Sequence, residues 1–158
     1  MKKLKMLPLL LLAALLLSAC GQKPADTPLP DCGELSGKIL ASQGFTEEMS
    51  ALSESKLCKA LDLTGEEYSQ ASMTMDVSRT TAEAIIVITA ADADNAKVIA
   101  EKLESYRTDT LRQYQDYRPE EAPKLESAQV MTNGLQCVLV IGPDQAAAKQ
   151  TCSQAWGK

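Results

Sequence analysis

The sequence predicts an α+β domain of two layers, in which a four-stranded antiparallel sheet carries helices mainly on one face. Three observations support this class. Apolar and polar residues alternate over 73–77, an amphipathic stretch runs over 96–114, and an Asn-Gly pair separates two apolar runs near residue 134. The expected order of elements is α-β-β-α-β-β-α.

The first predicted helix and strands lie between residues 46 and 89. Thr46 followed by two glutamates is an N-cap pattern for a helix that extends to about residue 62. The alternation over 73–77 predicts a half-buried strand. The run 82–89 is rich in β-branched and apolar residues on both faces, which is typical of a central strand.

The second half of the domain is predicted to contain a long helix, a hairpin and a last helix. The long helix begins at Asp92 or Asp94 and ends near Tyr117, because the next proline disfavours helical geometry before it. Asn133-Gly134 between apolar alternating runs predicts a β-hairpin. The last helix extends to about residue 155.

The first nineteen residues have the pattern of an export signal. A short basic start precedes an apolar run of about twelve residues, about 18 Å as a helix and too short for a hydrocarbon core of about 30 Å. Leu17-Ser18-Ala19-Cys20 resembles the bacterial lipobox. The resemblance implies that residues 1–19 are a lipoprotein signal peptide and that Cys20 carries a diacylglyceryl-type anchor with fatty acids such as palmitate. The alternative is an ordinary secretory signal with an incidental cysteine.

The mature chain is expected to consist of a tether and one domain. Residues 20–44 form the lipidated, proline-rich tether, and residues 45–158 form the single α+β domain. Loss of the three lysines of the signal takes the net charge from −5 to −8, which opposes binding to nucleic acid. The chain contains no histidine, so Ser-His-Asp and Cys-His nucleophile systems are excluded.

Four cysteines follow Cys20, namely Cys32, Cys58, Cys137 and Cys152. An even number in an exported chain predicts a disulfide framework. The strand after Cys137 and the helix before Cys152 have similar lengths, so we expect the pair Cys137–Cys152, and then Cys32–Cys58. Free buried thiols are the alternative. A structural zinc site is disfavoured because the chain has no C-x₂-C pair.

Glu83 is the one acidic residue that stands out within an apolar strand. A buried ionised acid there would need a partner, so we interpret Glu83 first as solvent-facing at the strand edge. The second interpretation is a functional acid paired with Arg107, Arg112 or Arg118. No nucleophile with a base and no phosphate-binding loop is present, so the sequence indicates no catalytic residue, metal or cofactor.

A family resemblance follows from three segments. The strand at Ala82-Glu83, the helix end Tyr117-Arg118-Pro119-Glu120, and the Asn133-Gly134 hairpin with Asp144 together resemble small bacterial lipoproteins of domain of unknown function 4358. The resemblance covers about 46–155. It implies no established activity and no site residues.

The expected function is binding or scaffolding at the extracytoplasmic face of the cell membrane, without catalysis. The partner would be an envelope protein or polymer, held by the exposed side of the sheet or by an open sheet edge. One alternative is an accessory enzyme of envelope acyl or polymer modification, which predicts a deep pocket where two acids converge with an arginine. Another is a structural protein that associates with itself.

Overall fold

The computed structural model describes residues 28–158. The predicted signal peptide, Cys20 and the start of the tether lie outside the described residues. The strands are β1 (Met49–Ala51), β2 (Tyr68–Asp76), β3 (Ala84–Ala90), β4 (Val130–Asn133) and β5 (Gln136–Ile141). The helices are α1 (Cys32–Ser42), α2 (Glu54–Leu61), α3 (Ala93–Tyr117), α4 (Ala122–Ser127) and α5 (Gln145–Ala155), with a short 3-10 turn at Pro119–Glu121. Within this range no helix is long and apolar enough to cross a membrane.

The five strands form one open antiparallel sheet in the order β1-β2-β3-β5-β4. The antiparallel sheet is therefore confirmed, and it has one strand more than predicted. The additional strand is β1, where Met49 lies opposite Asp76 of β2. The predicted helix over 46–62 is wrong in its first half, because this segment supplies partners for the backbone of β2. The helix α2 begins only after Ser53.

Helices cover both faces of the sheet, which corrects the prediction of two layers. One face packs against α2, α3 and α4, and we call this the α3 face; its core includes Ile86, Ile88 and Leu139. The other face packs against α1 and α5, and we call this the α1/α5 face; its core includes Val87 and Val138. Strands with apolar side chains on both faces need cover on both sides, and β3 and β5 are of this kind.

The helix α1 lies in the segment that the sequence analysis assigned to the tether. Asp31 caps it by accepting hydrogen bonds from the backbone N–H groups of Gly33 at 2.8 Å and Glu34 at 3.1 Å. Leu35 and Ile39 are fully buried against the sheet. The folded part of the chain therefore includes residues 32–44.

The long helix and the hairpin agree with the sequence prediction. Asp92 caps α3 by accepting from the backbone N–H of Asn95 at 2.8 Å, and the helix ends at Tyr117. The turn of the β4–β5 hairpin contains Gly134 with a φ of 58°, a left-handed conformation that favours glycine. These elements depend on local signals, which explains why the sequence alone was sufficient to find them.

Candidate functional site

The carboxylate of Glu83 lies buried at the end of the sheet, immediately before β3, and its exposed fraction is 0%. It accepts hydrogen bonds from the backbone N–H of Thr46 at 2.9 Å and from the Thr46 hydroxyl at 3.2 Å. The ammonium of Lys124 lies 2.9 Å from its Oε1 atom. The prediction that Glu83 faces solvent is therefore wrong, and its cationic partner is a lysine of α4.

Glu121 brings a second carboxylate to the same ammonium. Both of its oxygens lie 3.0 Å from Lys124 Nζ, and Oε2 also accepts from the backbone N–H of Ala82 at 3.0 Å. Burial alone would lower the pKa of Lys124, but the hydrogen bonds to Glu83 and Glu121 outweigh it and raise that pKa. The lysine is therefore a stable cation between two acids from different elements.

Asp76, which is 1% exposed, holds the β2–β3 turn beside these acids. It accepts from the backbone N–H of Ser78 at 2.8 Å and from that of Thr81 at 2.8 Å. Burial would raise the pKa of Asp76, but the hydrogen bonds from Ser78 and Thr81 outweigh burial and lower it. The hydroxyl of Tyr114 donates to the Thr81 carbonyl at 2.6 Å, which ties the turn to α3.

We call these residues the acid–lysine cluster: Thr46, Asp76, Thr81, Glu83, Glu121 and Lys124. Its carboxylates already hold backbone N–H groups, hydroxyls or the ammonium. Arrangements of this kind stabilise the junction of several chain segments, here the loop before β1, the β2–β3 turn and α4. The geometry fits a structural clamp, because these buried polar groups are hydrogen-bonded to one another and to the backbone of the segments they join.

The three arginines named as partners for Glu83 are engaged elsewhere. Arg107 pairs with Glu104 and also donates to the Leu125 carbonyl at 2.9 Å. Arg112 pairs with an aspartate of α3 at 2.9 Å, and Arg118 lies 3.6 Å from Glu120. Among the described residues the one ion pair of Glu83 is with Lys124.

Sequence reasoning missed Lys124, Glu121 and Thr46 as members of this cluster. Glu121 and Lys124 stand three residues apart, which places both on one side of a short helix. That spacing was the available signal, but it does not indicate which acid elsewhere in the chain the lysine will meet. The meeting with Glu83 depends on α4 packing against the end of β3.

All four described cysteines are free thiols, and both predicted disulfides are absent from residues 28–158. Cys137 lies on the α3 face, where its thiol donates to the Ala96 carbonyl at 3.4 Å, whereas Cys152 lies in the α1/α5 core. Cys32 belongs to the α1/α5 core and Cys58 to the edge of the α3-face core. Each predicted pair is separated by the sheet, and disulfide geometry cannot span that separation.

The environment of the thiols makes most of them unreactive. Burial raises the pKa of Cys137 and of Cys152 to about 11, and burial also raises the pKa of Cys32. Cys58 is half-buried on α2, with its sulfur 3.1 Å from the hydroxyl of Tyr68. Three thiols therefore serve as small core side chains.

One edge of the sheet is open beside a shallow groove. Among residues 28–158, β4 pairs with β5 and with no other strand. A groove of about 410 Å³ separates the start of α3 from the β4–β5 hairpin. Its lining consists of small and apolar residues with one lysine: Ala93, Ala96, Lys97, Ala100, Thr132, Gly134 and Leu135.

A larger groove of about 680 Å³ lies between α2 and the outer side of α3. Leu61, Arg79 and Tyr106 are among the residues that line it. Neither Glu83 nor Glu121 lines this groove or the one beside β4. Within residues 28–158 no group of three or more acidic or cysteine side chains is placed to hold a metal ion.

The fold and site define a sheet domain with helices on both faces, a buried charged clamp and an open edge. The chain belongs to the family described as domain of unknown function (DUF4358), which matches residues 42–142. The resemblance noted in the sequence is thereby confirmed as to family. The match includes all five strands, whereas α5 lies beyond it. Comparison with curated proteins and with solved structures found no match.

Proposed function

We propose that this protein is a non-catalytic binding module at the extracytoplasmic face of the cell membrane, held there by a lipid anchor on Cys20. Its partner is an envelope protein that adds a strand to the edge of the sheet at β4. The observation that supports this proposal most strongly is the edge of β4 beside the groove against α3, which no other strand of residues 28–158 covers.

The choice of β4 follows from what the helices leave uncovered. Because α1–α5 cover both faces, the exposed sheet face that the sequence analysis considered does not exist in the described domain. The edge strand β1 has only three residues and follows the acidic pair Glu47-Glu48. By contrast, β4 contains neither charge nor proline, the features that usually protect an edge from pairing.

A binding role is better supported than the accessory enzyme. That alternative requires a deep pocket where two acids converge with an arginine. In this chain Glu83 and Glu121 converge on Lys124, which contacts both carboxylates. A general acid or base must reach a proton of the substrate. Glu83 is 0% exposed and Glu121 is 7% exposed, so neither carboxylate is placed to do so. Strand addition also favours a protein over a polymer as the partner, because it requires a second peptide backbone.

The proposal is tested by photo-crosslinking of the anchored protein in intact cells. A photoreactive amino acid replaces Thr132 on the β4 edge or, as a control, Val77, which is 55% exposed at the β2–β3 turn. We expect a discrete heterologous adduct from position 132 and none from position 77. Equal patterns at both positions, or no adduct at 132, would refute the edge as the binding surface. An adduct between two copies would instead favour self-association.

The anchor is tested separately by metabolic labelling with a palmitate analogue. The wild-type protein should take up the label and partition with the membrane, and Cys20→Ser should do neither. Labelling that persists in Cys20→Ser would overturn the assignment of this residue as the anchor. This result is independent of the crosslinking experiment, because the anchor and the edge strand are different parts of the chain.

A further inference from the structure

We infer that the partner strand places an uncharged aliphatic side chain opposite Thr132, and that this side chain fills the groove between α3 and the β4–β5 hairpin. The inference rests on the proposed strand addition at β4 and states the chemistry of the segment that would bind there. It predicts apolar residues at every second position, with no charge among those that point towards α3.

The pairing of β4 with β5 fixes the direction of its side chains. Val130 lies opposite Leu139 and Thr132 lies opposite Cys137, and both of these β5 residues belong to the α3-face core. Val130 and Thr132 therefore point towards the α3 face. Met131, between them, packs against the α1/α5 core. Residues that lie opposite each other on neighbouring strands share a face, so a partner residue opposite Thr132 also points towards α3.

The space at that position is bordered by small side chains. Ala93, Ala96 and Ala100 stand three and four residues apart, so they form one stripe along α3. Thr132 and Leu135 line the groove from the hairpin. Alanine methyl groups leave the gap of about 410 Å³ open, and an incoming aliphatic side chain would replace water there.

The same lining excludes a charged side chain. The one charged residue of the groove is Lys97, whose ammonium pairs with Asp94 at 3.0 Å and whose side chain is 76% exposed. A carboxylate or an ammonium placed among the alanines would lose water without gaining a buried partner. The next partner residue along the strand points to the opposite side and is not restricted in this way.

The chain itself allows a test that needs no natural partner. Trp156 donates from its indole nitrogen to Gln136 Oε1 at 2.8 Å, and Gln136 lies opposite Asn133. The C-terminal helix therefore ends beside the β4–β5 turn. A test strand joined after Lys158 through a flexible glycine-serine linker can reach β4 at high effective concentration.

Two fusions to the full chain are compared by amide hydrogen exchange of residues 130–133. In one, the seven-residue strand alternates valine with threonine, and in the other it alternates aspartate with serine. We expect the valine strand to slow exchange at least tenfold relative to the aspartate strand. The substitution Ala100→Leu, at a half-buried position on α3, fills the groove from the helix side and should abolish this difference while the far-UV spectrum stays unchanged.

The outcomes separate the inference from the proposed function. Equal protection by both strands would retain strand addition and overturn the groove as a selector. Protection by neither strand would overturn both. If folded Ala100→Leu still protects β4 more with the valine strand than with the aspartate strand, the groove does not select the side chain, because leucine then occupies the space. If Ala100→Leu does not fold, Ala93→Leu at the exposed end of the stripe replaces it.

Discussion

The substitution Lys124→Met tests the acid–lysine cluster most directly. It removes the ammonium that contacts Glu83 at 2.9 Å and Glu121 at 3.0 Å, and it leaves two buried carboxylates without a cation. Removing one partner of a buried ion pair costs about 3–5 kcal/mol. The side chain of Lys124 is 19% exposed, and Glu83 keeps its hydrogen bonds from Thr46. We therefore expect the free energy of unfolding to fall by the lower figure, about 3 kcal/mol.

The loss is measured by urea unfolding, followed by far-UV circular dichroism and by the fluorescence of Trp156. Trp156 is the single tryptophan and lies in the α1/α5 core, on the opposite side of the sheet from α4. If the domain unfolds as one unit, both signals shift together. In a thermal scan, about 3 kcal/mol corresponds to a decrease of roughly 10 °C in Tm for a domain of this size.

The matched control is Lys97→Met. It removes an ion pair with Asp94 whose two side chains are 76% and 92% exposed, and such pairs contribute about 0–1 kcal/mol. A Lys124→Met protein as stable as Lys97→Met would refute the assignment of the cluster as a clamp. The double variant with Glu83→Gln should be less destabilised than the sum of its single variants, because the buried charge and its partner are removed together.

Three further predictions concern glycines, thiols and pH. Gly134→Ala should destabilise the protein by about 1–2 kcal/mol, because residue 134 has a positive φ. Gly37→Ala lies inside α1 with open space at its Cβ position, so it should stabilise the protein by about 0.5–1 kcal/mol. Urea unfolding measures both changes in the free energy of unfolding. In the native protein an alkylating reagent should modify Cys58 alone of the four described thiols, as read by peptide mass; rapid labelling of Cys152 would contradict its burial. Because the folded state lowers the pKa of Asp76, its contribution to stability is complete above the ordinary value of 3.8 and is lost as the pH falls through the lower folded value. In Asp76→Asn the free energy of unfolding should therefore fall less as the pH is lowered than it does in the wild type. The same pH dependence in both proteins would argue against this contribution from Asp76.

Several elements could be predicted from the sequence because their signals are local. Asp92 caps α3 through its own side chain, and Gly134 supplies the left-handed backbone conformation of the hairpin turn. The largely apolar run over 82–89 predicted β3 as a central strand. Local signals did not predict the secondary structure at the start of residues 46–62, because β1 forms by pairing with β2, which lies later in the chain.

The cysteines illustrate how a correct local prediction can lead to an incorrect pairing. The strand and the helix that carry Cys137 and Cys152 were both predicted correctly. Their lengths bring the two residues to similar heights along the sheet, but the predicted pair also required α5 to pack on the face that carries Cys137. In the structure α5 packs on the α1/α5 face, so the sheet separates the two thiols.

The antiparallel sheet, the long helix and the hairpin could be predicted from the sequence, because hydrophobic periodicity, caps and turn residues act over a few neighbours. The family could be recognised from the resemblance of three short segments. Three features follow only from tertiary packing: helices cover both faces, Lys124 pairs with Glu83 across 41 positions, and β4 is an edge strand of the sheet formed by residues 28–158. These features depend on which faces meet when the elements pack. Contacts between residues distant in the chain determine which faces pack together, and a local sequence pattern does not contain that information.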